Sequence, residues 1–230
     1  MMWIPFFAAG VINGVGHYWG YRNFEHADAS TNIFPIGILI GGEELHNNHH
    51  TYPTSAKLSF KWWEFDIGWL YIRIFSLFGL AKVKRVSPRA KTIPGKTQID
   101  AETLRDLIAN RVQVMTKYSK SVILPVFAAE QQPQDPTLPN AKSLLVREDS
   151  LVDEAERRDI EGILGRYKSV QTVYQFRKRL QDIWNKTTAT QKELIEALQE
   201  WCLQAEATGI QCLQEFVRYI KGYRLQMVSY

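Results

Sequence analysis

Three of the chain's five histidines, His46, His49 and His50, fall within five residues of the stretch G-G-E-E-L-H-N-N-H-H-T-Y-P, Gly41 to Pro53. Positions i, i+3 and i+4 of a helix share a face, so this spacing predicts three imidazoles pointing the same way. Asn13 and His17, four residues apart, share a face by the same rule. Neutral imidazole binds iron, zinc, copper or nickel, most firmly when a carboxylate or carbonyl orients its other ring nitrogen. Glu25, Asp28, Glu43, Glu44 and Glu64 are the nearby carboxylates for that task. His26 stands outside any such spacing and is not expected to be a ligand. Blander readings compete: H-N-N-H-H as a polar loop, and His17 as a core or interfacial histidine making one hydrogen bond.

The elements that must position these side chains are unlike in the two parts of the 230-residue chain, whose length allows one or two domains. Residues 1–81 hold all five histidines and five of the seven tryptophans; residues 98–230 hold no histidine and read as charged helices. The run MMWIPFFAAGVI is apolar for about a dozen residues, short of the ~20 a spanning helix needs. IFPIGILIGG and IGWLYIRIFSLFGLA are also too short, and Arg73 interrupts the second, so all three are expected to be buried or interfacial. No basic region precedes the first apolar run as in a signal peptide. Trp63, Ile67, Leu70, Ile74 and Leu77 follow near-helical spacing. The net charge of +4 is modest. Lys82, Lys84, Arg85, Arg89 and Lys91 cluster in a segment that reads first as a solvated linker and also suits an anionic membrane surface or nucleic acid. Cys202 and Cys212 both lie in a helical pattern and imply no disulfide framework.

K-T-I-P-G-K-T-Q, Lys91 to Gln98, is a Pro-Gly break and a plausible boundary. Four helices are expected beyond it. The first spans about Asp100 to Ala129, the next Ser150 to Tyr167, and the third Val170 to Trp184. The last opens at the capping box Thr190-Gln-Lys-Glu193 and is broken by Gly209 before its stripe resumes at Ile210. Pro133, Pro136 and Pro139 mark a breaker after the first.

N-G-V-G-H-Y-W-G-Y-R (Asn13 to Arg22), followed by G-E-E-L-H-N-N-H-H-T-Y-P (Gly42 to Pro53), resembles the membrane-bound fatty acyl desaturases of the stearoyl-CoA, delta-9 type. The match in order and spacing covers roughly residues 1–85 and includes that family's third histidine box. The resemblance implies a mainly α chain in which residues 1–90 are the C-terminal part of a membrane-embedded desaturase domain and residues 98–230 a soluble helical tail. It implies that His17, His46, His49 and His50 ligate a non-haem di-iron centre, which Asn13 reaches through a water. The activity implied is O2-dependent insertion of a cis double bond into an acyl-CoA or acyl-lipid chain, fed by a separate electron donor and embedded in membrane lipids. The location implied is a bacterial inner membrane with the metal on the cytoplasmic side. Tyr18, Trp19, Trp62 and Trp69 are candidate walls for the acyl chain, with ordinary core the stronger expectation for each. The family's first two boxes, H-R-x-x-x-H and H-R-x-H-H, do not occur in these 230 residues. Read as a truncated C-terminal portion, with MMWIPFFAAG as the end of a fourth spanning helix, the chain alone is expected to be inactive.

The tail carries a second resemblance. Val173 to Trp184 and Leu198 to Phe216 are similar to the C-terminal helices of one class of bacterial insertion-sequence transposases, and no catalytic carboxylate is carried over. The tail reads as an interaction module held by Leu, Ile and Trp stripes. Arg177, Lys178, Arg218, Lys221 and Arg224 are the cations that phosphates would meet, but interleaved acids make nucleic acid an unlikely partner. The rival function is a helical interaction or nucleic-acid-binding protein with a vestigial histidine segment. A mononuclear zinc hydrolase is a third reading, and no H-E-x-x-H supports it.

Overall fold

A computed structural model describes residues 10, 12–131, 140–186 and 188–226. The start of the first apolar run, read as the end of a spanning helix, and the three-proline breaker therefore lie outside the described residues. The chain is mainly helical and divides into two compact units, residues 1–89 with 226–230, and residues 90–225. Among the described residues no helix is long and apolar enough to cross a membrane.

The first unit is short elements joined by long connections. Helix α1 (Asn13–Gly16) precedes β1 (Ile36–Gly37), α2 (His46–Thr51), β2 (Phe65–Asp66) and α3 (Ile67–Leu77). Strands β1 and β2 pair in parallel, Ile36 with Phe65 and Gly37 with Asp66. Among the described residues its buried apolar side chains are few: Ile12, Phe24, Leu45 and Val86. Buried polar groups take their place. Glu64 accepts hydrogen bonds from Tyr21 Oη, the side chains of Asn23 and Asn48, and the backbone N–H groups of Phe60 and Lys61. Asp66 accepts from the N–H groups of Leu58, Ser59 and Trp69, the last capping α3.

Helix α3 forms on the predicted apolar spacing, yet none of its residues is buried. Leu70, Tyr71, Ile74, Phe75 and Leu77 are exposed, as are Trp62, Phe78 and Leu80. The expectation of core for the candidate wall residues fails at three of four positions. Tyr18 is 92% exposed, Trp19 64% and Trp62 94%, because this unit's interior is filled by amides and carboxylates and leaves little room for aromatic rings.

The second unit is built in the opposite way. Strand β3 (Arg89–Thr92) pairs with β4 (Tyr223–Gln226), and between them come α4 (Ala101–Ala109), α5 (Arg111–Tyr118), a π-turn (Ser119–Ile123), α6 (Leu124–Glu130), α7 (Ala141–Val146), α8 (Glu154–Arg166), α9 (Lys168–Asn185), α10 (Gln191–Ala207) and α11 (Gln211–Lys221). The expected helix from Asp100 to Ala129 is instead interrupted twice. At Asn110 the side chain leaves the helix to donate to Tyr223 Oη at 2.7 Å, 113 positions away. The π-turn ends just before Pro125, whose ring would collide with the carbonyl four residues earlier; a locally widened helix relieves that collision.

The capping box at Thr190 and Glu193 forms, and Gly209, at φ +72°, separates α10 from α11 in the left-handed region that favours glycine. Leu198, Trp201, Cys202, Leu213, Phe216, Val217 and Ile220 are buried in one continuous core. Trp201 sits at its centre with its indole N–H donated to the Phe176 carbonyl at 2.9 Å. Both cysteines are free thiols, and Cys202 is buried.

Candidate metal centre

Helix α2 is short and presents two faces of different chemistry. Asn47 and Asn48 turn inward. Asn47 Oδ1 accepts from the N–H groups of Asn23 and Phe24, and its amide donates to the carbonyls of Phe24 and Ser30. Asn48 accepts from Asn23 and Asn32 and donates to Leu58 O and Glu64. These eight hydrogen bonds fix the helix by its polar side, and the histidines occupy what remains.

Helix α1 approaches that remaining face. A Cβ on Gly16 would lie 3.1 Å from the His46 ring, so glycine is what lets the two backbones come this close. As a result His17, His46 and His50 each offer a ligand atom, all within 4.8 Å of one another. The rings of His46 and His50 are 4.2 Å apart by centroid, and those of His17 and His46 5.1 Å. His17 therefore faces the H-N-N-H-H segment across the gap between two helices. His49 stands apart from the convergent trio, its ring centroid 6.4 Å from His46 and 5.8 Å from His50. Asn13 contributes its backbone carbonyl, which accepts from His17 Nδ1 at 2.8 Å and turns Nε2 toward the cluster.

The electrostatics suit a cation. His46 is buried and neither of its ring nitrogens has a hydrogen-bond partner. Burial, reinforced by the neighbouring His50, His17 and His49, lowers its pKa to about 4, which keeps the ring neutral and its lone pair free near neutral pH. One carboxylate serves the other two members. Asp28 Oδ2 binds His50 Nδ1, and Asp28 Oδ1 lies 3.3 Å from His17 Nε2. Burial pushes the Asp28 carboxyl up, but the hydrogen bonds from the Ser30 N–H and from His50 help to outweigh it and hold the group well below the usual carboxylate range. A carboxylate behind a ligating imidazole fixes its tautomer and orientation.

Of the five carboxylates named as candidates, Asp28 alone takes this place. Glu25 pairs with Arg22, Glu44 accepts from the N–H groups of Leu39 and Ile40, and Glu64 anchors the asparagines. His26 is held by Asn47 and by the N–H of Asp28, away from the trio. Asn47 and Asn48 went unread in the sequence; the signal available was their placement on the face opposite the histidines.

The five tail cations considered as phosphate contacts are engaged within their own unit. Arg177 is buried and donates to the carbonyls of Leu145, Val146 and Arg147. Lys178 pairs with Asp149, Arg218 with Glu215, and Lys221 with Glu206. Arg224 meets Asp100, Glu102 and Asp106.

Comparison with known proteins gives each region a relative. The chain is 44% identical over 77 residues to sn-2 palmitoyl-lipid 9-desaturase from Nostoc sp. (strain 36), covering 34% of this chain and 27% of that protein. It is 37% identical over 81 residues to Delta-9 acyl-lipid desaturase 2 of Arabidopsis thaliana, 35% of this chain and 26% of the relative. With the acyl-CoA C20 Delta5-desaturase of Anemone leveillei it shares 40% over 78 residues, 34% and 25% of the two chains. The chain thus spans about a quarter of the length of the curated relatives it matches. No solved structure matches it. A family model described as a transposase matches residues 82–230, well over half of the chain. Through those residues the chain belongs to this transposase family, and it also carries a segment similar to acyl-lipid delta-9 desaturases.

Proposed function

We propose that the histidine-bearing unit serves fatty acyl desaturation, the O2-dependent insertion of a cis double bond into an acyl-CoA or acyl-lipid chain. Convergence of imidazoles from α1 and α2 beside a buried, unpartnered His46 is the observation that carries this reading. His17, His46, His49 and His50, with Asn13, supply this chain's share of the ligands to a non-haem di-iron centre. When bound, such iron activates O2 for removal of unactivated hydrogens. The chain's own residues orient and exclude. Asp28 holds His50, the Asn13 carbonyl holds His17, and the asparagine network keeps α2 in register.

The fit to iron is partial. Three imidazoles within 4.8 Å suit one transition-metal ion, whereas the ligands of a complete pair are not present among these 230 residues. These residues by themselves carry out little or no desaturation. The exposed apolar side chains of α3 and its flanks, together with Trp62, favour residence at a membrane, in a bacterium the inner membrane with the metal toward the cytoplasm. A separate protein delivers the electrons. Expression of the full chain in cells without a membrane desaturase tests the reading. It predicts an unchanged acyl profile from a protein that retains iron on purification. Unsaturated product from the chain alone, or no retention of any divalent metal, contradicts it.

The transposase match favours a second reading for residues 82–230, an interaction or nucleic-acid-binding module joined to a vestigial histidine segment. Salt-dependent DNA binding by the full chain supports that reading. The internal pairing of Arg177, Lys178, Arg218, Lys221 and Arg224 weighs against those five side chains as the phosphate contacts.

A further inference from the structure

We propose that this chain holds a single divalent transition-metal ion on His17, His46 and His50, with Asp28 positioning His50 through Oδ2 and setting Oδ1 beside the metal-facing Nε2 of His17. The inference rests on reading the histidines as metal ligands and goes beyond it in stoichiometry and in the role of Asp28.

The count follows from reach. An ion bound by imidazole at 2.0–2.1 Å in tetrahedral geometry has ligand nitrogens about 3.3 Å apart. Atoms already within 4.8 Å of one another close on one ion by small rotations of the rings. A pair of ions about 3.5–4 Å apart requires a second set of donors on its far side. Beyond the trio, His49 offers one buried, unpartnered nitrogen, Nδ1, and Asn13 is exposed. One imidazole and one exposed amide do not make that second set.

The role of Asp28 follows from which nitrogens it leaves free. Its Oδ2 occupies His50 Nδ1, so His50 presents Nε2. His17 Nδ1 is taken by the Asn13 carbonyl, so His17 presents Nε2, with Asp28 Oδ1 3.3 Å from that atom. With His17 Nδ1 donating to the Asn13 carbonyl, Nε2 is the ring nitrogen that faces the carboxylate oxygen. A cation shared between those two electron-rich atoms satisfies both. The Ser30 N–H donates to Asp28 Oδ1 at 2.6 Å and His50 Nδ1 meets Oδ2, so both carboxylate oxygens are fixed in place. The same carboxylate thus orients His50 from behind, as outer carboxylates do for ligating histidines, while the Asn13 carbonyl does so for His17.

The test is titration of the metal-free full chain with Co2+, read by its visible ligand-field spectrum, with Zn2+ counted by elemental analysis after dialysis. One ion per chain is expected, with His17→Gln, His46→Gln and His50→Gln each abolishing the spectrum. Asp28→Asn, nearly identical in shape, is expected to weaken Co2+ binding 10- to 100-fold and to shift the spectrum. Asp28→Glu is expected to restore part of the affinity, and His26→Gln to behave as the parent protein. Two ions per chain, or an Asp28→Asn protein with unchanged affinity and spectrum, overturns this inference and leaves the histidine ligands standing. Absence of Co2+ and Zn2+ binding by the parent chain overturns both.

Discussion

The two units solve the problem of an interior in opposite ways. Residues 90–225 bury Leu, Ile, Val and aromatic side chains around Trp201, and charges such as Arg218 with Glu215 and Lys221 with Glu206 pair nearer the surface, with Arg177 and Asp106 buried. Residues 1–89 bury Asn23, Asn32, Glu44, His46, Asn47, Asn48, Glu64 and Asp66, while Trp62, Leu77, Phe78 and Leu80 face outward. The first arrangement draws its stability from apolar burial. The second depends on its buried amides and carboxylates finding partners, since an orphaned polar group costs on the order of 1–3 kcal/mol. The polar interior orders imidazoles; the apolar interior orders helices.

That contrast ranks the effects of mutation. Trp201→Ala empties the centre of the apolar core and is expected to cost about 3–5 kcal/mol, seen as a lower midpoint of urea unfolding by far-ultraviolet circular dichroism. A loss under about 1 kcal/mol would show that the core is not organised around this ring. In the polar interior, Asn48→Leu removes one hydrogen-bond partner from each of Glu64, Asn23 and Asn32 and is expected to cost roughly 2–3 kcal/mol despite its added apolar area. Its zinc retention should fall as well, because α2 loses its anchor. Unchanged stability would mean that the network is ornamental.

A smaller effect separates the units by pH. Glu130 accepts from the backbone N–H groups of Ser169 and Val170 at the start of α9, which has no side-chain cap of its own. Burial raises its pKa, but these bonds and the Ser169 side chain outweigh it and the pKa lies below the ordinary 4.5. A depressed carboxyl contributes stability that is fully present above the unfolded value and is lost as pH falls through the folded one. Glu130→Gln is therefore expected to lower stability at pH 7 by up to ~1 kcal/mol and to flatten its decline below about pH 4.5. Equal slopes for parent and variant in that range would remove Glu130 from the account. Smallest of all, Arg218→Gln breaks an exposed pair with Glu215 and is expected to change stability by under about 0.5 kcal/mol.

The same contrast explains what the sequence made legible. Apolar periodicity and caps report an apolar interior, so Leu198, Trp201, Leu213 and Phe216, the Thr190 capping box and the Gly209 break could all be read in advance. The interruption at Asn110 could not, because its cause is Tyr223, more than a hundred residues away. In the first unit the periodicity argument inverts. Tyr18, Trp19 and Trp62 are expected inside by hydrophobicity and lie outside, since the interior is already committed to amides and carboxylates. Spacing put His46 and His50 on one helix face, and only the family resemblance added His17, which lies on a different element. His49 lies outside the group within 4.8 Å, its ring 6.4 Å from His46, on a six-residue helix pinned through Asn47 and Asn48. Asp28 could be nominated from the sequence and selected only once Glu25, Glu44 and Glu64 were seen occupied elsewhere.

The central claim, that imidazoles from two separate helices meet at one metal, is tested most directly by X-ray absorption at the zinc edge of the zinc-loaded full chain. The account predicts the multiple-scattering signature of three imidazoles at about 2.0–2.1 Å and no metal–metal vector. A first shell of oxygen alone, or one with a single imidazole, would contradict it.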